Sequence, residues 1–442
     1  MHHPPAAPSP PELNGRASSG RPLRLMLLTD TLADVNGVSR FILDVARAAH
    51  ERARDLTVVT STRMACPSLP NIVNIPPLLA ARMPRYEQLE AVLPPMRRIF
   101  DMVILHRPDA VHLSTPGPVG IAGWWAARRL RIPIVGIYHT DFPAYIAHLF
   151  DDDALTWTST AAMRWFYKPF AKVMTRSAQY ARVVKDLGIR CSRIRSLRPG
   201  TDTQAFHPRH ADRSIWRTIP GCDPQSVKVL FVGRVSVEKN LPFTARIWAA
   251  VSNQLRRAGP GTPTAELIIV GDGPYRREME AALQGMNAHF LGFRLGAELS
   301  RLYASSDLFL FNSLTDTLGQ VVLEAQASGI AVLVSDFGGP QEVTRNGTTG
   351  LVLPGNNQQA WVDALVALIT DRPRLRSMGL AAREYAQTMS IDASFDHFWE
   401  VHEQAVWTEQ ARRGERTQSR RQAARRRRLE AHACATTGVG GA

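Results

Sequence analysis

The chain has 442 residues, 45% of them hydrophobic, which favours a globular enzyme of two or three domains. Its four scattered cysteines exclude a disulfide framework and a zinc site and fit a reducing cytoplasm, and the lack of any apolar run of about 18 residues excludes a membrane-spanning helix. The net charge is +14, and half of this excess lies in residues 412–430.

Residues 1–21 are rich in Pro, Ser and Ala and predict a disordered leader. After them, short apolar runs alternate with helical patterns, which predicts parallel α/β architecture. The strands predicted in 22–199 are Leu23–Thr29, Leu56–Thr60, Ile72–Ile75, Ala110–Ser114, Ile134–Tyr138, Lys172–Thr175 and Ile194–Leu197. Those predicted in 227–390 are Val227–Val232, Glu266–Val270, His289–Leu291, Leu308–Phe311, Ala331–Val334 and Gly350–Leu353.

This pattern divides the chain into two Rossmann-like domains, 22–199 and 227–390. The segment 200–226 is rich in Pro and Gly and predicts a linker. A C-terminal helix over 391–411 is expected to cross back to domain one, and 412–442 to form a disordered, Arg-rich tail. Ligands of doubly wound sheets bind at the carboxyl ends of strands, and here also between the domains.

Two segments of domain one place polar residues after predicted strands. Asn36 and Gly37 follow the first strand, where a glycine lets the backbone approach a ligand closely, although a plain tight turn explains it equally well. His139 follows Ile134–Tyr138, a position suited to binding a sugar hydroxyl or a phosphate oxygen, or to proton transfer. Asp141 either orients this histidine or caps the next helix.

The acidic run 151–153 contains the Asp-x-Asp pattern that metal-dependent sugar transferases of another fold use to hold a cation. It lies between helical segments and does not follow a strand. An acidic cluster at a helix N-terminus explains it better, because carboxylates there interact favourably with the helix dipole. No metal site is therefore expected.

Two cations follow the first strand of domain two. Arg234 and Lys239 lie in the loop after Val227–Val232. A diphosphate leaving group develops negative charge as the sugar–phosphate bond breaks, and fixed cations beside it stabilise the transition state more than the ground state. Taken alone, these residues are better explained as solvated loop cations, and the donor-binding role depends on the segment after the strand Leu308–Phe311.

The most informative segment begins after the strand Leu308–Phe311. Asp316 and Glu324 stand eight positions apart, and Gly319 between them marks the start of a helix. Eight residues of helix span about 12 Å, so the two carboxylates can bind hydroxyl groups at the two ends of one ligand. The helix N-terminus between them suits a phosphate. Sugar, diphosphate and ribose follow in this order in a nucleotide-sugar, which the segment is therefore predicted to bind.

The tail is the last informative feature. Residues 412–430 contain nine arginines and two glutamates. Such a segment can bind nucleic acid, attract acidic lipid or stay solvated, and its few aromatic residues weaken the nucleic-acid alternative. Each basic residue near an anionic membrane contributes about 1 kcal/mol, so attraction to lipid and plain solvation remain the main alternatives.

Together these motifs resemble glycosyltransferase family 4, whose members are retaining enzymes of the GT-B fold. The resemblance extends from about residue 23 to residue 405 and is strongest to the lipid-directed branch, the sulfoquinovosyl- and mannosyl-transferases acting on diacylglycerol-type lipids. The motifs that carry it lie at 34–38, 84–86, 112–118, 139–143, 200–202 and 315–317. The implied fold is GT-B, two doubly wound Rossmann-like domains with a cleft between them.

The resemblance also implies roles for individual residues. The donor-binding residues would be Arg234, Lys239, Asp316, Leu318, Gly319 and Glu324. Arg234 and Lys239 would hold the diphosphate, and Glu324 would bind the ribose. Asp316 would bind the sugar together with the backbone N–H groups of Leu318 and Gly319. His139 would face the sugar at the reaction centre, so the catalytic set is this histidine with the first carboxylate and the two cations. Asn36 and Gly37 would line the acceptor side.

Two departures from the family pattern stand out. The wider family usually carries Glu at the position of Asp316, a carboxylate longer by roughly 1.5 Å, and such shifts matter at a reacting centre. The lipid-directed branch also carries Asp there, so the departure supports the branch. In addition, the segment 172–177 lacks the Pro-Ser that often ends the corresponding strand.

The predicted activity is transfer of a hexose from a UDP- or GDP-linked donor to a hydroxyl of a membrane lipid, with retention and with no cofactor or metal. The first alternative is the same chemistry on a soluble glycan or polysaccharide precursor, and the last is a nucleic-acid-binding protein on a degenerate transferase scaffold. The expected location is cytoplasmic, at the inner face of the membrane. The tail and the basic helices of domain one would bind anionic lipid through Arg40, Arg47, Arg52, Arg54, Arg97 and Arg98.

Overall fold

The computed structural model describes residues 21–33, 37–83, 86–139, 141–143, 152–259 and 261–437. Two parallel sheets with helices on both faces form two Rossmann-like domains, which confirms the predicted fold class. Each strand predicted from the sequence is present, with ends that shift by one residue or two. The inner strands of both sheets are almost entirely buried, as parallel strands covered on both faces must be, and the edge strands are partly buried.

Domain one contains a seven-stranded parallel sheet. In spatial order its strands are β3 (Ile72–Asn74), β2 (Asp55–Thr60), β1 (Arg24–Leu28), β6 (Ala110–Leu113), β7 (Ile134–Tyr138), β8 (Lys172–Thr175) and β9 (Ile194–Ser196). An antiparallel hairpin, β4 (Leu79–Met83) and β5 (Tyr86–Leu93), was not predicted. The helices are α1 (Gly37–Glu51), α2 (Met96–His106), α3 (Pro118–Leu130), α4 (Asp153–Tyr167) and α5 (Ala178–Asp186).

Domain two contains a six-stranded parallel sheet. In spatial order its strands are β12 (Ala288–Gly292), β11 (Ala265–Val270), β10 (Val227–Val232), β13 (Leu308–Phe311), β14 (Ala331–Ser335) and β15 (Gly350–Leu353). The helices are α6 (Leu241–Arg257), α7 (Arg276–Ala282), α8 (Gly296–Ser305), α9 (Gln320–Ala327), α10 (Gly339–Glu342), α11 (Gln358–Thr370) and α12 (Arg372–Gln387). Because β10 and β13 are neighbours, the loops that follow them, with Lys239 and Asp316, meet at one edge of the sheet.

Most of the predicted linker 200–226 is part of domain two. Phe206, Ile215 and Trp216 are buried in the core of that domain, and the Trp216 indole donates a hydrogen bond to the Ser305 carbonyl at 3.2 Å. The chain passes between the domains at Thr201, whose N–H bonds the carbonyl of Met389 at 3.0 Å. The two crossings therefore lie side by side.

The C-terminal helix α13 (Ile391–Thr437) returns to domain one. Phe395, Phe398 and Trp399 pack in the same core as α1 and β1. Arg52 forms ion pairs with two carboxylates at the start of this helix, and Arg54 lies 5.3 Å above the ring of Trp399. These two arginines, predicted to face a membrane, instead attach α13 to domain one, because the helix carries the nearest carboxylates and indole.

The structure corrects the prediction of a disordered tail. The helix that was expected to end near residue 411 continues without interruption to Thr437. The physical reason is local, since Arg, Ala, Gln, Leu and Glu all favour helix and Gly414 is the single strong breaker in the segment 412–437. Within the described residues no helix combines the length and apolarity that a bilayer crossing requires.

Candidate active site

The carboxyl ends of the strands in the two domains face each other across a cleft. The hydroxyl of Thr317, in the loop after β13, donates a hydrogen bond of 2.8 Å to the carbonyl of His139, which follows β7. This bond joins the histidine motif of domain one to the Asp316 loop of domain two. The structure thus brings together residues that lie 178 positions apart in the sequence.

Lys239 and Asp316 form an ion pair on the domain-two wall. The Lys239 ammonium lies 2.8 Å from each carboxylate oxygen, and each side chain is about one-fifth exposed. An ammonium has three N–H donors, and the carboxylate takes two of them. The pair therefore fixes a cation and a carboxylate side by side in the cleft, with one N–H of the ammonium left for another acceptor.

Arg234, the second predicted cation, also follows β10. Its guanidinium lies 3.9 Å from the carboxylate of Glu238, four residues further on, and about a quarter of the side chain is exposed. Glu238 itself is buried, so the ion pair connects the partly exposed guanidinium to a buried carboxylate. The structure places both cations in one connection, after the central strand of the sheet.

Glu324 is buried on the first turns of α9. The Tyr303 hydroxyl donates a hydrogen bond of 3.0 Å to its carboxylate. Burial raises the pKa of Glu324 to about 7, although the positive charge of Arg40 and the Tyr303 bond both act to lower it. A carboxylate with this pKa gains from further hydrogen-bond donors, and ribose hydroxyls are such donors.

The N-termini of α1 and α9 meet across the cleft. A Cβ added to Gly37, the first residue of α1, would lie 3.9 Å from the Cβ of Gln320, the first residue of α9. Gly319 precedes α9 with φ +75°, and Leu318 beside it is buried. Two helix N-termini together present free N–H groups and partial positive charge to one region, which suits a diphosphate. Asn36 lies outside the described residues.

His139 lies on the domain-one wall with its ring packed against Phe41, 5.5 Å between ring centres. Its Nε2 is buried and has no hydrogen-bond partner. Burial, followed by the charge of Arg176, holds the pKa of His139 well below its ordinary value, so the imidazole is neutral. A neutral imidazole with an unused nitrogen suits a hydrogen bond to a sugar hydroxyl. Asp141 accepts a bond of 3.0 Å from the Tyr138 hydroxyl, which neither predicted role included.

Arg176 is a residue of the cleft that the sequence analysis missed. It follows β8 directly, and because Tyr138 pairs with Thr175 in the sheet, Arg176 stands beside His139. Its guanidinium lies 4.6 Å above the Phe41 ring and 3.4 Å from the Gln320 side-chain oxygen. Burial lowers its pKa to about 10. The available signal in the sequence was the absence of the Pro-Ser pattern from residues 172–177.

The acidic run behaves as a helix cap. Asp152 accepts hydrogen bonds from the N–H groups of Ala154 and Leu155 at 2.8 and 3.0 Å, and Asp151 lies outside the described residues. A cap of this kind accounts for the run without a cation.

Elsewhere in domain two, ligand atoms of Cys222, Glu266 and His289 lie within 4.8 Å of one another. The ammonium of Lys228 is 3.4 Å from Glu266 and already supplies the positive charge that a bound cation would bring.

Comparison with known proteins matches both domains to sugar transferases. The model of the Glycosyltransferase Family 4 domain matches residues 35–205, and that of Glycosyl transferases group 1 matches residues 226–371. A GDP-mannose-dependent alpha-mannosyltransferase of Mycobacterium tuberculosis is 32% identical over 374 residues, covering 80% of this chain and 88% of that protein. The chain belongs to glycosyltransferase family 4.

Other relatives of this glycosyltransferase have different named substrates. The sulfoquinovosyl transferase SQD2 of Arabidopsis thaliana is 30% identical over 340 residues, covering 73% of this chain and 62% of that protein. A D-inositol 3-phosphate glycosyltransferase of Nocardia farcinica is 32% identical over 298 residues, 65% of each chain. The sulfoquinovosyl and mannosyl relatives confirm the branch that the motifs resembled.

Solved structures confirm the GT-B fold of the enzyme. Sucrose-phosphate synthase of Thermosynechococcus elongatus superposes with a TM-score of 0.69 over 86% of this chain and 98% of that one, at 18% identity. Anabaena Alr3699/HepE in complex with UDP gives a TM-score of 0.65 over 88% and 100%, also at 18% identity. At this level of identity the likeness concerns the fold alone.

Proposed function

We propose that the enzyme transfers a hexose from a UDP- or GDP-linked donor to a hydroxyl of a membrane lipid, with retention of anomeric configuration. The observation that carries the donor half of this proposal is the Lys239–Asp316 pair at the N-terminus of α9, opposite Gly37. The pair, the two helix N-termini and Glu324 offer in turn a sugar site, a diphosphate site and a ribose site.

The proposed roles follow from this order. Arg234 and Lys239 stabilise the charge that develops on the leaving diphosphate, and Asp316 with the N–H groups of Leu318 and Gly319 holds the sugar. Glu324 accepts hydrogen bonds from the ribose, and neutral His139 binds the sugar from the facing domain. Asn36 and Gly37 line the acceptor side. No metal takes part, because the cations and helix N-termini supply the positive charge, so a chelator should leave the rate unchanged.

A thermal-shift screen against UDP, GDP, ADP and their sugars tests the donor site. A ligand at a hundred times its dissociation constant adds about 2.7 kcal/mol to stability, a shift of about 5–10 °C for a domain of this size. One nucleotide family should give this shift, and Glu324→Ala should abolish it. Glu298→Ala, on the exposed side of α8, is the matched control and should keep it. The donor proposal fails if no nucleotide stabilises the purified protein.

The acceptor half of the proposal rests on two observations. The first is that the relatives include a sulfoquinovosyl and a mannosyl transferase, the two kinds of enzyme that the motifs of the chain resemble. The match to the mannosyl relative covers most of the chain. The second observation is the surface of domain one, where Leu105, Trp125 and Trp157 are strongly exposed on α2, α3 and α4. Large apolar side chains beside basic ones suit the interface of a bilayer, and we place the enzyme at its cytoplasmic face.

The inositol-phosphate relative supports a second candidate, transfer to a small soluble acceptor. The two candidates separate in one assay with the donor named by the screen. Radiolabelled sugar should enter the organic phase when the enzyme acts on extracted membrane lipids, and the anomeric coupling constant of the product should match that of the donor. Label confined to the aqueous phase with soluble acceptors would favour the second candidate. An inverted product would contradict retention.

A further inference from the structure

A deep groove outside the catalytic cleft separates domain one from α13. It has a volume of about 790 Å³ and is lined by the end of α3, the residues after α4, and one face of α13. Its cationic side chains are Arg128, Arg131, Lys168, Arg193, Arg412, Arg413 and Arg416. Its carboxylate, Glu409, is already 3.3 Å from Arg413. We call this feature the cationic groove.

Among the described residues that line the cationic groove, seven cationic side chains share one carboxylate, Glu409. Lys172, on the adjoining strand β8, has its pKa lowered to about 8, first by burial and then by the charges of Arg195, Arg412 and Arg193. Arg193 itself has its pKa lowered by burial and by Arg190 and Arg412, against the opposing charge of Glu409. Its Nη1 donates hydrogen bonds to two backbone carbonyls, while its buried Nε has no hydrogen-bond partner. Like charges this close repel one another, so a bound anion would stabilise the arrangement.

The groove is separate from the reaction site. It lies beside Ile134, Lys172 and Arg193, at the amino ends of β7, β8 and β9. His139 and Arg176 follow the carboxyl ends of β7 and β8, so the groove and the cleft lie at opposite ends of these strands. The donor, which the cleft binds, therefore does not account for the groove.

Aromatic side chains next to the groove indicate what kind of anion it binds. Arg128 lies 5.8 Å above the ring of Trp124, which packs 4.6 Å from Trp165. Trp165 is 53% exposed and Trp125 on α3 is 45% exposed. Trp157 lies more than two helical turns before Trp165 on α4, further from the groove, and is 72% exposed. Tryptophan next to basic side chains is typical of a membrane interface, where the indole lies at the level of the headgroups. Part of the groove is also apolar, formed by the partly exposed Ile132 and Pro133.

We propose that the cationic groove binds the phosphate headgroup of an anionic membrane phospholipid, and that this contact anchors the enzyme to the bilayer with the tryptophans inserted alongside. The inference rests on the proposed function, since an enzyme that acts on a membrane lipid needs a stable position on the bilayer. It assigns α13, which the donor chemistry does not use, to one wall of a lipid site.

Vesicle co-sedimentation of the full chain tests the proposal. Wild-type protein should bind vesicles of phosphatidylcholine with phosphatidylglycerol and should not bind phosphatidylcholine alone. The double variant Arg412→Gln/Arg416→Gln removes two charges from the groove and should weaken binding by about tenfold or more. Arg374→Gln/Arg376→Gln, on exposed positions of α12, removes the same charge from domain two and should change binding less than twofold, about the limit of the assay. The single variant Arg416→Gln should give an intermediate loss and guards against misfolding of the double variant.

Three results would overturn the proposal: equal loss in both double variants, equal binding to neutral vesicles, or RNA that displaces the protein from phosphatidylglycerol. Equal loss in both double variants would mean that binding is a diffuse attraction of positive charge, and displacement by RNA would mean that the groove is a nucleic-acid site.

The nucleotide thermal shift distinguishes failure of the groove inference from failure of the proposed function. If the shift and lipid transfer in detergent persist while vesicle binding is absent, the groove inference fails and the proposed function stands. If vesicle binding occurs without any nucleotide shift, the groove binds lipid and the proposed donor site fails.

Discussion

At the scale of residues, the environment of His139 explains its chemistry. The imidazole lies between Phe41 and the neighbouring strand end, with Arg176 beside it and its Nε2 unpartnered. Burial and the adjacent guanidinium both disfavour the charged form and lower the pKa of His139, so the ring stays neutral in the cleft.

This arrangement predicts the pH dependence of the Arg176→Met variant. The charge of Arg176 lowers the pKa of His139, so its removal should raise that pKa. The acidic limb of the kcat/KM profile, where His139 becomes protonated, should then move to higher pH, while the rate at pH 8 should change less than the rate at pH 6. Arg176→Lys keeps the charge and should keep the wild-type limb. An unchanged limb in both variants would show that Arg176 does not act on His139.

At the scale of elements, α9 depends on the backbone of the residue before it. Gly319 has φ +75°, a left-handed conformation, and a Cβ there would lie 2.8 Å from Cγ of Pro340. The glycine therefore lets the loop turn sharply into the helix whose first N–H groups face Gly37. This conformation directs the N-terminus of α9 into the cleft, where its free N–H groups are available to an anion.

Gly319→Ala should accordingly lower both stability and donor binding. A side chain in the left-handed region costs about 1–2 kcal/mol, and the clash with Pro340 adds to this. Gly414→Ala, within α13 where a Cβ meets nothing within 4 Å, is the matched control. It should stabilise the protein by about 0.5–1 kcal/mol, the usual gain of alanine over glycine inside a helix. Thermal unfolding without nucleotide measures the stability of each variant, and the added shift with nucleotide measures its donor binding. A nucleotide shift of wild-type size in Gly319→Ala would contradict the role of Gly319 in donor binding.

At the scale of the whole molecule, polar bonds between the domains hold the cleft closed. The carboxylate of Glu342, at the end of α10, accepts hydrogen bonds from the N–H groups of Ala178 and Gln179 at 2.7 and 3.0 Å. These two residues begin α5, so a side chain of domain two caps a helix of domain one. The Tyr180 hydroxyl adds a bond of 3.2 Å to the carbonyl of Thr315, next to Asp316.

Glu342→Ala should therefore favour an open arrangement of the domains. Loss of a helix cap costs about 0.5–2 kcal/mol, which here acts on the closed state. We expect the radius of gyration from small-angle X-ray scattering to increase without donor, and the KM for donor to rise by up to about tenfold. The control is Glu298→Ala, which removes a carboxylate of the same domain that, among the bonds described, pairs with Arg294 in the loop before α8. An unchanged radius and KM would show that other contacts determine closure.

The sequence alone determined the fold class and most of the cleft. Apolar runs of strand length are buried wherever they fall in a doubly wound sheet, so all the strands of both sheets were predictable, whereas the hairpin β4–β5 was not. Strand ends carry ligand-binding residues in such sheets, which is why His139, Lys239 and Asp316 could be located from local pattern.

Only the tertiary structure decided which of these residues meet and which charges are engaged inside the protein. Local pattern carries no information about partners far along the chain, such as Arg52 with Asp392 or Thr317 with the carbonyl of His139. For the same reason the position of Arg176 in the cleft could not be predicted, because it depends on the pairing of β8 with β7. The arginines of α13 were visible from the start as a charge run, but they became one wall of a groove only where the helix packs against domain one.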